Sequence, residues 1–156
     1  MKLYMKQKIF SWNDRFLIGD EEGRECYRVE GELFSWGHKL HIYDVGGQEV
    51  AFLQQKLMSW LPTYLIYQGE TQVAQITKKL TFLRPRYILE GLGWEIEGDA
   101  WAHDYRIVQD GVTVAELHKE WFTWGDSYAL EIVRPEDAVL ALCVALVVDC
   151  VLDAND

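Results

Sequence analysis

Residues 138–148 read AVLALCVALVV, eleven positions without one polar side chain. Arg134-Pro135-Glu136-Asp137 stands directly before them. Proline suits a first helical turn, and acids suit the positive end of a helix dipole. Asp149 interrupts the apolar run, Cys150-Val151-Leu152 resume it, and Asp153-Ala154-Asn155-Asp156 follow. The pattern predicts one helix over about residues 135–152. A helix apolar on every side has no face for water and must be enclosed by protein or lipid. A membrane span needs about 20 apolar residues, more than this run supplies. The expectation is a core helix, no transmembrane span, and Asp149 near solvent where the helix emerges.

The enclosure is written in the rest of the chain as a repeat. Residues 48–58 read QEVAFLQQKLM, residues 71–81 TQVAQITKKLT and residues 112–122 VTVAELHKEWF. Each carries Val-Ala, one intervening residue, then Leu or Ile, which is the period of a strand with one buried face. Ala51/Leu53, Ala74/Ile76 and Ala115/Leu117 are therefore one predicted inward-facing set. Glycines precede each copy and mark turns. The segments that follow also correspond: residues 59–64 (SWLPTY), 82–87 (FLRPRY) and 123–128 (TWGDSY), each a strand end, a turn and a new strand.

A longer period is present as well. Residues 27–32, YRVEGE, match residues 94–99, WEIEGD, and the chain reads as two half-repeats, about 8–67 and 79–132, in a single domain over 1–156. Counting runs between turn signals gives about a dozen strands, the number expected of a closed or two-sheet architecture. Seven Trp and eight Tyr fit this mainly β reading, because large aromatics favour strands.

Charge and cysteine usage remove several classes. A formal net charge of −10 opposes nucleic-acid binding, which needs a basic footprint. Any lipid contact must then use a local basic patch. Cys26, Cys143 and Cys150 are odd in number and form no CxxC pair, so reduced thiols in a cytoplasmic protein are expected. Residues 1–6, MKLYMK, contain no apolar signal-peptide core.

The VAxL repeats, the SWLPTY and LRPRY turns, the WEIEGD segment and the terminal apolar helix together resemble the LURP-one-related family, from about Lys6 to Asp153. That family is placed in the tubby C-terminal-like superfamily, with the phospholipid scramblases. The resemblance implies a twelve-stranded closed barrel around a central hydrophobic C-terminal helix. In tubby-like proteins this fold is associated with phosphoinositide binding at the membrane surface, but a fold does not by itself carry a function across. No tubby-like ligand residue can be matched to a position here.

The densest positive cluster is Lys78 and Lys79 with Arg84 and Arg86, across a strand end and the Pro85 turn. Cations gathered at a turn can hold a phosphate, with Arg offering two parallel donors; the competing reading is a solvated hairpin. Lys2, Lys6 and Lys8 form a second basic stretch that reads as a first strand. His38 and His41 are expected on opposite strand faces, which breaks a metal site. His103 beside Asp104 reads as structural. Glu30 and Glu97 sit at equivalent places beside Gly31 and Gly98 and suggest a turn role in both halves. Trp12, Trp36, Trp60 and Trp124 occupy corresponding positions and are expected in core or rim packing.

No nucleophile elbow, Walker A loop or dinucleotide fingerprint appears, and Gly91-Leu92-Gly93 leads into no helix. No catalytic residue, metal ligand set or cofactor is expected. The leading expectation is a non-catalytic binding module, cytoplasmic or peripheral at the inner membrane face, that takes an anionic phospholipid headgroup. A protein-interaction or regulatory domain is the alternative. A small-molecule enzyme with a site at the barrel end, using His103 or nearby acids, ranks below both, because a barrel filled by its own helix has little interior room.

Overall fold

The structure, a computed structural model, describes residues 1–6, 15–32, 36–80, 85–122 and 125–153. Twelve strands precede one helix: β1 (Lys2–Lys6), β2 (Arg15–Gly19), β3 (Glu25–Gly31), β4 (Lys39–Asp44), β5 (Glu49–Gln55), β6 (Thr63–Gln68), β7 (Thr71–Leu80), β8 (Pro85–Glu90), β9 (Glu95–Asp99), β10 (Asp104–Gln109), β11 (Val112–Phe122), β12 (Gly125–Ile132) and α1 (Ala138–Asp153). All lie in one antiparallel sheet, ordered β8-β7-β6-β5-β4-β3-β2-β1-β12-β11-β10-β9. The edge strands β8 and β9 come side by side without a hydrogen-bonded ladder. The barrel is thus mainly β and nearly closed, with twelve strands and one C-terminal helix, as expected. The β1–β2 junction is also thin, with Tyr4 opposite Gly19 as its one registered pair among the described residues.

The alternating pattern places the barrel wall as its chemistry requires. Ala51, Leu53, Ala74, Ile76, Ala115 and Leu117 are all buried. Against them lies α1, entered through a 3-10 turn at Pro135–Asp137 with proline in its first turn. Residues 141 to 148 of the helix are buried without interruption. Eight successive residues cover more than two helical turns, so the helix is enclosed on every face. Leu142 and Leu146 are among its fully buried side chains, each worth about 1.5–3 kcal/mol of apolar burial. The Cys143 thiol is inside too, its pKa pushed up by burial, and all three cysteines are free.

Two glycines show how tightly neighbouring strands are drawn together. Gly91, in the bend joining β8 to β9, has φ +107, and a Cβ there would lie 2.4 Å from the Val73 carbonyl oxygen. Gly98, inside β9, has φ +111 and would put a Cβ 3.0 Å from the Tyr105 Cα. Gly98 and Gly31 are therefore strand residues, which corrects the turn role expected of their neighbours. Glu30 instead pairs with Arg15 across the β2–β3 ladder and with Arg28 along β3, and Glu97 binds Arg106 across the β9–β10 ladder at 2.7 Å.

Strand direction sorts the connections between two barrel ends. The turns at residues 20–24, 45–48, 69–70, 91–94 and 110–111, with the entry to α1, lie at one end. Residues 36–38, 56–62 and 100–103, and the C-terminal end of α1, lie at the other. No helix among the described residues is long and apolar enough to cross a membrane.

Candidate functional site

The turn end is acidic before any site is singled out. The turn end carries Asp20, Glu21, Glu22, Asp44, Glu70, Asp110, Glu136 and Asp137 against Arg24 and Arg134. A groove of about 810 Å³ opens beside it, with Asp20, Glu22, Glu116 and Glu131 in its lining together with Lys2 and Arg24. Lys2 is neutralised there by Glu131 and Glu120 at 3.1 and 3.2 Å, and those hydrogen bonds raise its pKa.

The predicted basic cluster is at the opposite end, and the strand pleat divides it. On β7 the inward set Ala74 and Ile76 continues to Lys78, which is buried and not without partners. Lys79 points outward and is exposed. Its registered neighbour across the ladder is Arg86 on β8, also exposed. Arg84 lies outside the described residues, as do Lys8, Trp12 and Trp124. The four cations therefore do not form one described patch: Lys79 and Arg86 share the outer face, and Lys78 belongs to the interior.

What distinguishes Lys79 and Arg86 is the lack of a counter-ion. Arg15, Arg24, Arg28, Lys39, Arg106 and Arg134 each face a carboxylate within 4 Å. Among the described residues, Lys79, Arg86 and the exposed Lys56 make no such pair, in a chain with 25 acids. Lys56 opens the β5–β6 connection, two strands along from β8 in sheet order. Like charges directly opposite in an antiparallel ladder are destabilising, so the Lys79–Arg86 pairing costs the fold a little.

Beside these cations stands an apolar rim. Met58 and Trp60 are wholly exposed, at 103% and 102%, Trp36 is 84% exposed and Leu57 49%. Rim placement agrees with expectation for Trp36 and Trp60, but packing does not: their rings face solvent. The connection that carries Met58 and Trp60 is braced. Lys56 N–H donates to the Thr63 carbonyl at 2.8 Å, Thr63 Oγ1 donates to the Leu61 carbonyl at 2.9 Å, and Lys78 N–H donates to the Pro62 carbonyl at 2.9 Å. The Trp36 turn is fastened to it, with Gln55 N–H donating to the His38 carbonyl at 2.8 Å.

Inside the same mouth is a polar cluster that sequence reading did not assemble. His103 Nε2 donates to Asp149 Oδ1 at 2.8 Å, and the imidazole stacks on Tyr128 with centroids 4.4 Å apart. His103 holds φ +55 to reach this position, an uncommon state for a residue with a Cβ. Asp149 is neither free in solvent nor unpartnered: the helix runs on to Asp153, and the carboxylate is part-buried against His103. Burial, with the Asp149 charge adding to it, pushes the Tyr87 hydroxyl up to about 12 and raises the Tyr105 hydroxyl well above the usual phenol range. Both hydroxyls are buried with no hydrogen-bond partner among the described residues. Among the described residues no hydroxyl or thiol bonds to His103, so the pair activates no nucleophile by contact. No described group of His, Cys, Asp and Glu is arranged to hold a metal ion.

The other histidines are also structural in setting. His38 Nδ1 meets the Tyr64 hydroxyl at 2.8 Å, and burial pushes its pKa down to about 4. His41 lies on the outer surface of β4 with Glu49 and Glu32, and His118 bonds Glu120 at 2.9 Å.

The family relationship agrees with this architecture. A solved structure of an Arabidopsis thaliana protein superposes with a TM-score of 0.64 over 96% of this chain and 90% of that one, at 14% identity, which speaks to the fold alone. YxjI of Bacillus subtilis (strain 168), described as an uncharacterized protein, is 41% identical over 152 residues, covering 97% of this chain and 94% of its own length. The LURP-one-related pattern matches residues 1–149, and the chain belongs to the LURP-one-related family.

Proposed function

We propose that the domain is a non-catalytic binding module that takes anionic phospholipid headgroups on the basic flank of the barrel end that carries Lys79 and Arg86. The observation that carries this reading is the set of unpaired cations, Lys56, Lys79 and Arg86, on neighbouring elements at one end of the barrel. A cation left without a carboxylate in so acidic a chain is available to an external anion. Arg86 can grip a phosphate through two donors, and Lys79 beside it adds a point charge. Arg84, one residue before β8 begins, is included in the proposed set. Lys78 contributes from the interior side of β7.

The net charge of −10 does not oppose this. A six-residue strand spans about 20 Å, while the Debye length in physiological salt is about 8 Å. Acids on the turn end are thus largely screened from a surface met by the mouth. Each Lys or Arg near an anionic membrane contributes about 1 kcal/mol, so three give a preference of about a hundredfold over neutral lipid.

Co-sedimentation with neutral, phosphatidylserine and phosphoinositide vesicles at low and physiological salt tests the reading. The expected result is salt-sensitive binding to the anionic vesicles, reduced at least tenfold in Lys79→Glu/Arg86→Glu. Equal partition to neutral and anionic vesicles would sink it and leave a protein partner as the reading to pursue.

A further inference from the structure

We infer that the apolar rim formed by Trp36, Leu57, Met58 and Trp60 is a membrane-inserting surface, seated in the headgroup and upper acyl zone of a lipid bilayer. The inference rests on the proposed binding of anionic headgroups and adds how the domain is oriented and held.

Shape and charge select a bilayer over a protein surface. The four side chains stand on two adjoining turns at the tip of the barrel, a projecting edge rather than a groove. Such an edge can enter a fluid interface without a complementary cavity. Tryptophan, with an apolar ring and one N–H donor, is enriched at the depth where headgroups meet acyl chains. The free cations flank the edge: Lys56 directly precedes Leu57, and the hydrogen bond from Lys78 N–H to Pro62 ties the Trp60 turn to the strand that presents Lys79. Entry of the tips would bring these cations to phosphate level, with the acidic turn end directed away from the membrane.

The local backbone argues that exposure of these groups is built in. Met58 holds φ +58, a left-handed state that Gly or Asn adopts far more readily. A turn optimised for stability would place one of those residues there. The bracing hydrogen bonds at Thr63 and Pro62 prevent the turn from folding its apolar side chains back onto the wall. A Cβ at Gly37 would lie 2.9 Å from Leu57 Cδ2, which shows how closely the two turns are pressed together.

The test uses the full chain with vesicles of phosphatidylcholine alone and of phosphatidylcholine with phosphatidylserine, each with and without acyl-brominated lipid, at low and high salt. Four proteins are compared: wild type, Lys79→Glu/Arg86→Glu, Met58→Ser/Trp60→Ser, and Trp36→Phe/Trp60→Phe. The expected result is quenching of tryptophan fluorescence by brominated lipid that weakens in Trp36→Phe/Trp60→Phe, and affinity at least tenfold lower in Met58→Ser/Trp60→Ser at either salt. Wild-type binding to anionic vesicles with no bromine quenching, and unchanged affinity in Met58→Ser/Trp60→Ser, would overturn insertion while leaving headgroup recognition standing. Quenching with equal affinity for both lipid compositions would do the reverse. Failure of the wild type to bind any vesicle would overturn both.

Discussion

The barrel's two ends solve the same problem, reversing the chain, in opposite ways. At the turn end, acids face water. At the mouth, Trp36, Met58 and Trp60 face water, Met58 adopts a conformation better suited to glycine, and three cations have no carboxylate partner among the described residues. A surface that breaks several local preferences at once is held there by something other than folding stability. On the proposed reading, the turn end serves the fold and the mouth serves binding.

Separating stability from binding is the way to break that comparison. The largest loss should come from the interior that both ends share: Leu146→Ala, at a fully buried helix position, should cost about 2–5 kcal/mol, read as a lower midpoint in urea with binding per folded molecule unchanged. Next is the turn end. Gly91→Ala forces a Cβ against the Val73 carbonyl at positive φ and should cost about 2–3 kcal/mol, again without affecting vesicle affinity. A smaller, pH-dependent effect belongs to His38. Its folded pKa of about 4 lies below the ordinary 6.5. The unfolded chain therefore takes up a proton first as the solution is acidified. His38 neither adds nor removes stability above about pH 6.5, and lowers stability between there and pH 4. The loss should be on the order of 2 kcal/mol after allowing for partial solvent contact. His38→Gln should flatten that part of the denaturation-midpoint profile, and an unchanged slope would refute the assignment.

The smallest stability effects are expected at the mouth. Met58→Gly should be neutral to stabilising by up to about 1 kcal/mol, because the left-handed residue is relieved. Lys79→Glu/Arg86→Glu should stay within about 0.5 kcal/mol of wild type, since exposed charges contribute little. If these mouth variants unfold the protein as severely as Gly91→Ala does, the division of labour between the ends is wrong.

How much of this could be read in advance follows the same line. The helix was legible because eleven successive apolar residues admit few environments, and the wall because Val-Ala-x-Leu repeats with the period of a strand. The incomplete ladder between β8 and β9 was not, since a count of strands does not say which pair closes the sheet. Lys79 and Arg86 were visible as a charge run, but their significance was not. Whether a cation is neutralised depends on neighbours from other strands, as Glu97 is to Arg106. Lys56 passed unnoticed as a lone lysine among glutamines and hydrophobic residues. Trp36 and Trp60 were assigned to packing because tryptophan is usually packed; their positions beside Gly37 and Pro62, in turns, were the signal that they project. His103 and Asp149 are 46 residues apart. Their meeting needs both the barrel's register and the rise of the helix inside it.

The placement of α1 after all twelve strands has a consequence for biosynthesis. A ribosome delivers the walls of this barrel before the element that fills them. Until residues 138–153 leave the exit tunnel, the inward faces of the strands have nothing to close upon, and the nascent chain carries uncovered apolar stripes that favour chaperone capture. Closure of the barrel around its core accordingly waits for α1 to emerge. A ribosome stalled within the helix codons should hold a protease-sensitive chain, however many complete strands have already emerged.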